Sequence, residues 1–155
     1  MAELLMKQKA LSLRESYEVY RNSELKYIIQ RRKLLSKKPA FDIYVEEGIV
    51  ASAEVTNNDS PKIYKISFNG ENAGEVSFSG IAGVNKLVYE ERGIEVCGNS
   101  MLTEFSVKDH DRKIIGTIKK KIVSMKDTYD ISFINDEDEL LFAMLGLLID
   151  ETFHG

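Results

Sequence analysis

The sequence predicts an all-β barrel of about twelve antiparallel strands, closed around one buried C-terminal helix, in a single domain spanning 1–155. Three observations point there. Short strand-like runs, rich in Ile, Val, Tyr and Phe and separated by turn signals, fill the chain from residue 4 to 134. A frame of Lys, two apolar residues, Ser, four residues, an aromatic, an acid and then Val or Ile recurs three times. Near the end, Leu140 to Ile149 form ten residues without a polar side chain.

The strands come in order. "SYEVYR", "AFDIYVEE", "KIYKISF", "GEVSF", "IEVCG", "TEFSVKD", "IIGTIKKKIV" and "TYDISFIN" carry the β pattern. Between them lie Arg21-Asn22-Ser23, Glu46-Glu47-Gly48, Asn69-Gly70, Glu91-Arg92-Gly93, Cys97-Gly98-Asn99-Ser100 and Asp109-His110-Asp111. Asn69-Gly70 is the strongest hairpin signal, because both residues accept positive φ. The repeated frame reads "KALSLRESYEV" at 9–19, "KLLSKKPAFDI" at 33–43 and "KIVSMKDTYDI" at 121–131. "KLVYEERGIEV" at 86–96 fits it loosely, with Tyr89 at the Ser position and Ile94 at the aromatic one. Each copy reads as an extended arm, a Ser-initiated connection and a strand whose aromatic (Tyr17, Phe41 or Tyr129) faces inward. Ser12, Ser36 and Ser124 are equivalent positions, and three equivalent sites mark a structural unit rather than one nucleophile.

The apolar run reads as a helix over about 137–152. Asp136 and Glu139 have the spacing of a capping box, and no Pro interrupts. Ten helical residues rise about 15 Å, whereas a bilayer core of roughly 30 Å needs about 20 residues. Asp136 to Glu139 and then Asp150 and Glu151 flank the run at once. No transmembrane segment is expected. The apolar residues go all round, so protein encloses the helix on every side. Ala143 and Gly146, one turn apart, make a thin face where the wall comes closest. An eight-stranded barrel is filled by its own side chains, and about twelve strands leave a lumen that a helix about 10–12 Å across can plug.

The bulk numbers agree. The chain has 155 residues, 43% hydrophobic and 30% charged, which suits one globular domain. Cys97 is the lone cysteine, so no internal disulfide exists. That favours a reducing, cytoplasmic setting. "MAELLMKQKALS" holds no apolar stretch of signal-peptide length. The net charge of −4 speaks against a nucleic-acid partner. The charge is uneven, however: residues 1–40 carry ten Lys/Arg against four Glu, and residues 131–155 carry six acids and no Lys/Arg.

The opening "MKQKALSLRESYEVY", the recurring frame and the closing "KKKIVSMKDTYDISFINDEDELLFAMLGLLID" together resemble the LURP-one-related proteins. That family shares its fold with the tubby C-terminal domain and the phospholipid scramblases. The resemblance covers nearly the whole chain and is most specific at its two ends. It implies a twelve-stranded barrel around a hydrophobic helix; for function it implies little, although tubby-type domains, similar in fold, bind phosphoinositides.

The chemical inventory points away from catalysis. His110 and His154 lack the second His or Cys pair that a metal site needs, so no metal and no cofactor is expected. No Gly-rich loop opens a helix to cradle phosphate. The strongest acid/base reading places Asp109, His110 and Asp111 in a surface groove of an enzyme. The preferred reading is a non-enzymatic binding or scaffold module. Its candidate residues for an anionic ligand are Arg31, Arg32, Lys33, Lys37 and Lys38 in "RRKLLSKK" and Lys119 and Lys121 in "KKKIVSMK". Their partner would be an anionic lipid headgroup or a protein, met on the outer surface.

Overall fold

The computed structural model describes residues 1–9, 15–32, 38–78, 85–121 and 127–154. The chain runs β1 (Ala2–Gln8), β2 (Ser16–Arg21), β3 (Glu24–Arg31), β4 (Ala40–Val45), β5 (Gly48–Asn57), β6 (Lys62–Phe68) and β7 (Glu71–Phe78). It continues through β8 (Lys86–Tyr89), β9 (Ile94–Gly98), β10 (Glu104–Lys108), β11 (Ile114–Lys121) and β12 (Thr128–Phe133). A 3₁₀ turn (Asp136–Asp138) leads into α1 (Glu139–Ile149), which widens into a π-helical turn (Asp150–His154). Each strand pairs antiparallel with the next, and β12 returns to β1, so the sheet closes. Closure leaves no edge among these strands.

Alternation decides which side chains enter the barrel. Leu4 and Met6 point in from β1, Tyr17 and Val19 from β2, Phe41 and Ile43 from β4, and Tyr129, Ile131 and Phe133 from β12; all are buried. The three aromatics of the repeated frame therefore face inward, as their spacing predicts. Tyr89 and Ile94 of the looser copy are buried too. The motif residues Ser12, Ser36 and Ser124 lie outside the described residues, as do Lys33 and Lys37. Asn69 and Gly70 take φ of 52° and 79°, the left-handed pair that a two-residue hairpin requires between β6 and β7.

α1 occupies the lumen. Of its 11 residues ten are buried, so no face is left for solvent. Phe142 stacks on Phe133 with centroids 5.0 Å apart. The thin face meets the seam of closure: a Cβ on Gly146 would stand 3.0 Å from Ile131 Cδ1 and 3.3 Å from Met6 Sδ. Among the described residues, no helix is long and apolar enough to cross a membrane.

One expectation fails at the helix start. Asp136 and Glu139 do not form a capping box; Asp138 occupies the N-cap position, without a side-chain bond. The Glu139 carboxylate is bound instead by the Arg21 guanidinium on β2 and by the Tyr27 hydroxyl on β3 at 2.7 Å. Glu139 is buried, and a buried carboxylate is stabilised more by a cation than by a backbone N–H. Arg21 also reaches Asp136 at 2.9 Å, and Arg92 reaches Asp138 at 3.2 Å. The acids ahead of the plug thus fasten it to the barrel rim.

Candidate functional site on the outer wall

With the lumen filled, concave surface is to be found outside. A groove of about 720 Å³ runs across β2, β1, β12 and β11. Its floor follows from register. Asp130 stands between Leu5 and Lys119, and Thr128 stands between Lys7 and Lys121. Ser132 stands between Glu3 and Thr117 in the same way. Tyr20, next to Leu5 on β2, and the turn residues Asn22 and Ser23 complete one bank.

The groove holds three ammonium groups (Lys7, Lys119, Lys121) and two carboxylates (Glu3, Asp130). Lys121 reaches Asp130 at 3.4 Å. Lys7 lies over the Tyr20 ring, 5.6 Å from its centroid. Lys119 is exposed and faces Asp130 on one side and Glu104 on the other. The local balance is one positive charge, carried on flexible stems above a polar floor of Thr117 and Ser132. Such a surface attracts an anion weakly and in a salt-dependent way.

The predicted basic residues are not brought together. Lys119 and Lys121 line the groove, but Arg31, Arg32 and Lys38 lie elsewhere. Arg31 ends β3 with its side chain largely covered, 3.5 Å from Glu15. Arg32 grips Asp42 with two guanidinium nitrogens at 2.8–3.1 Å and approaches Glu54 at 3.7 Å. Ser52 adds a bond to Asp42 at 2.7 Å. Burial raises the Asp42 carboxyl, but the bonds from Arg32 and Ser52 outweigh it and hold the group below its ordinary range. Lys38 is exposed ahead of β4.

The consequence is that Arg32 ties β4 together at its outer face. Arg32→Ala is expected to lower unfolding free energy by about 1–3 kcal/mol, because Asp42 keeps its burial and loses its cation. Denaturant unfolding at neutral pH would show it. The sign with pH follows from the depressed folded-state value: the Asp42 contribution is present above the unfolded carboxylate value and disappears as pH falls through the folded one. The variant should therefore lose less stability on acidification than the parent.

Lys7 belongs to the groove and was missed in the sequence. Its signal was present, since "LLMKQ" alternates and places Lys7 opposite in facing to the buried Met6. The acid/base reading fares differently. His110 is 74% exposed at its side chain, lies 3.4 Å from Asp111, and is not part of the groove. Asp109 spends its carboxylate on the backbone N–H groups of Asp111 and Lys113, at 2.9 and 3.0 Å. That is the bonding of a turn, and the acid/base reading loses the enclosed histidine it needed. Among the described residues, no group of three or more His, Cys, Asp or Glu is placed to hold a metal ion.

The chain is similar to the uncharacterized protein YxjI of Bacillus subtilis (strain 168), with 24% identity over 156 residues covering 99% of this chain and 95% of that one. No protein-family model matches the chain. No solved structure matches it.

Proposed function

We propose that this chain is a non-catalytic binding module of the LURP-one-related kind, and that it engages an anionic phospholipid headgroup through the outer groove over β2, β1, β12 and β11. The observation that carries this reading is the filled lumen: α1 occupies the space that a ligand cavity would use, and Lys7, Lys119 and Lys121 converge on a concave part of the remaining surface. The family assignment rests on the recurring frame, whose aromatics line one interior, and on the resemblance of the two chain ends.

Each Lys near an anionic surface contributes on the order of 1 kcal/mol. Three give weak binding, easily screened. Flotation with phosphatidylserine-containing vesicles should recover the protein at low salt and release it at high salt. Lys119→Glu with Lys121→Glu should abolish recovery without loss of fold. Neutral phosphatidylcholine vesicles should not recover it. Absence of binding to anionic vesicles at low salt rejects the headgroup and leaves an acidic protein segment as the partner of the same groove.

A further inference from the structure

The barrel end opposite the Glu139 anchor holds a chain of oxygens with too few protons. Asp150, 1% exposed, accepts from the Tyr17 hydroxyl at 2.5 Å through Oδ2 and from the Tyr129 hydroxyl at 2.7 Å through Oδ1. The Tyr17 oxygen also lies 3.1 Å from Glu151 Oε2. A phenol has one proton to donate. The short contact to Asp150 takes it, and the Tyr17 oxygen then presents only lone pairs to Glu151. An ionised Glu151 would set lone pair against lone pair. The contact is attractive when the Glu151 carboxyl carries a proton and donates it to Tyr17.

Burial and the neighbouring acids act in the same direction. Glu15, just ahead of β2, adds a second carboxyl beside Glu151, and its Oε2 is buried without a hydrogen-bond partner among the described residues. The charge of Asp127, just ahead of β12, likewise raises the Asp150 carboxyl. The cations at this end contact the outer acids: Arg31 meets Glu15 at 3.5 Å and Lys120 meets Asp127 at 2.9 Å. Tyr64 on β6 is bonded to Thr152 at 2.8 Å, and the His154 ring lies 6.4 Å from that of Tyr129. Burial first, and then the nearby Glu15 carboxyl, outweigh the Tyr17 hydroxyl and push the Glu151 carboxyl up to about 9.

We propose that Glu151 is a neutral carboxylic acid at physiological pH, and that the relay Glu151–Tyr17–Asp150–Tyr129 is a proton-held latch fastening the C-terminal turn to β2 and β12. Loss of that proton leaves Asp150 and Glu151 both presenting lone pairs to one hydroxyl. The turn Asp150–His154 then loosens, and the end of α1 that leads into it frays. The sign is fixed by linkage. Between the unfolded carboxyl value near ~4.3 and the raised folded value, the native state holds one proton more than the unfolded chain. Stability therefore falls as pH rises through that window, about tenfold in the folded-to-unfolded ratio per pH unit, and levels off above it.

The test uses the full chain labelled with ¹³C at glutamate carboxyls. One resonance, absent from Glu151→Gln, should titrate in the alkaline range, and the Gln variant should lose the parent's decline in stability between pH 5 and about 9. Should the variant not fold, the same resonance is assigned in the parent through its own backbone amide. A Glu151 carboxyl titrating near its ordinary value overturns the latch. So does a variant that keeps the parent's full pH slope.

Discussion

Gly146→Asp is expected to unfold the protein. The new Cβ would lie 3.0 Å from Ile131 Cδ1 and 3.3–3.4 Å from the Met6 thioether, on the face where α1 meets β1 and β12. Those atoms are the ends of flexible side chains, so steric crowding alone is tolerable. The charge is not. The atoms nearest that Cβ belong to Met6 and Ile131, both apolar and fully buried, so neither offers a partner to a carboxylate. An unpaired buried carboxylate costs several kcal/mol even after it takes up a proton. Whole domains of this size are stable by about 5–15 kcal/mol. Leu145→Asp should have the same outcome through loss of a buried aliphatic together with the stranded charge. Circular dichroism and size-exclusion chromatography decide the matter. A variant that stayed folded and merely became more soluble would sink the plug model.

Gly116→Val should be the second severe lesion, for a different reason. Gly116 faces inward from β11, beside Phe133 on β12. A Cβ there would run into the Phe142 ring of the plug and would stand 2.6 Å from the Ser132 carbonyl oxygen. The ring is itself wedged by its stacking on Phe133. We expect a loss of at least about 3 kcal/mol, at the upper end of overpacking effects, since both a ring and a backbone atom must move. Combining Gly116→Val with Phe142→Leu tests the origin. The ring clash should be relieved and the carbonyl clash should remain, so rescue should be partial, with a coupling energy in thermal or denaturant unfolding. Full additivity of the two substitutions would contradict the contact.

Much of this was legible because it is local. Asn69-Gly70 marks its turn by itself, and "SYEVYR" and "KIYKISF" coincide with β2 and β6. The all-round apolar run and its acid flanks are sufficient to place α1 inside a sheet. The repeated frame adds the inward facing of Tyr17, Phe41 and Tyr129, because the same aromatic recurs at the same offset from a turn. What stayed hidden depends on chain segments far apart. Asp150 looks in sequence like an acid that ends an apolar run; its partners Tyr17 and Tyr129 are 133 and 21 residues away. Glu139 fits a local cap by spacing, yet Arg21, 118 residues earlier, claims it. Likewise "RRKLLSKK" reads as one basic patch, whereas the strand period sends Arg31 towards Glu15 and Arg32 onto Asp42.

The seam between β1 and β12 carries a kinetic consequence. β1 is made before every other strand of the barrel, and one of its two neighbours is the last strand. α1, which fills the interior, is made later still. During synthesis the growing sheet therefore has two open edges and an empty middle, and the hairpins formed along the way cannot bury their inner faces. Contacts of such long sequence separation fold slowly and leave apolar strands exposed meanwhile. For this topology the native state is a property of the whole barrel sequence, reached in one late, cooperative step after α1 has emerged from the ribosome. Nascent-chain protection by chaperones is most valuable to the protein in that interval.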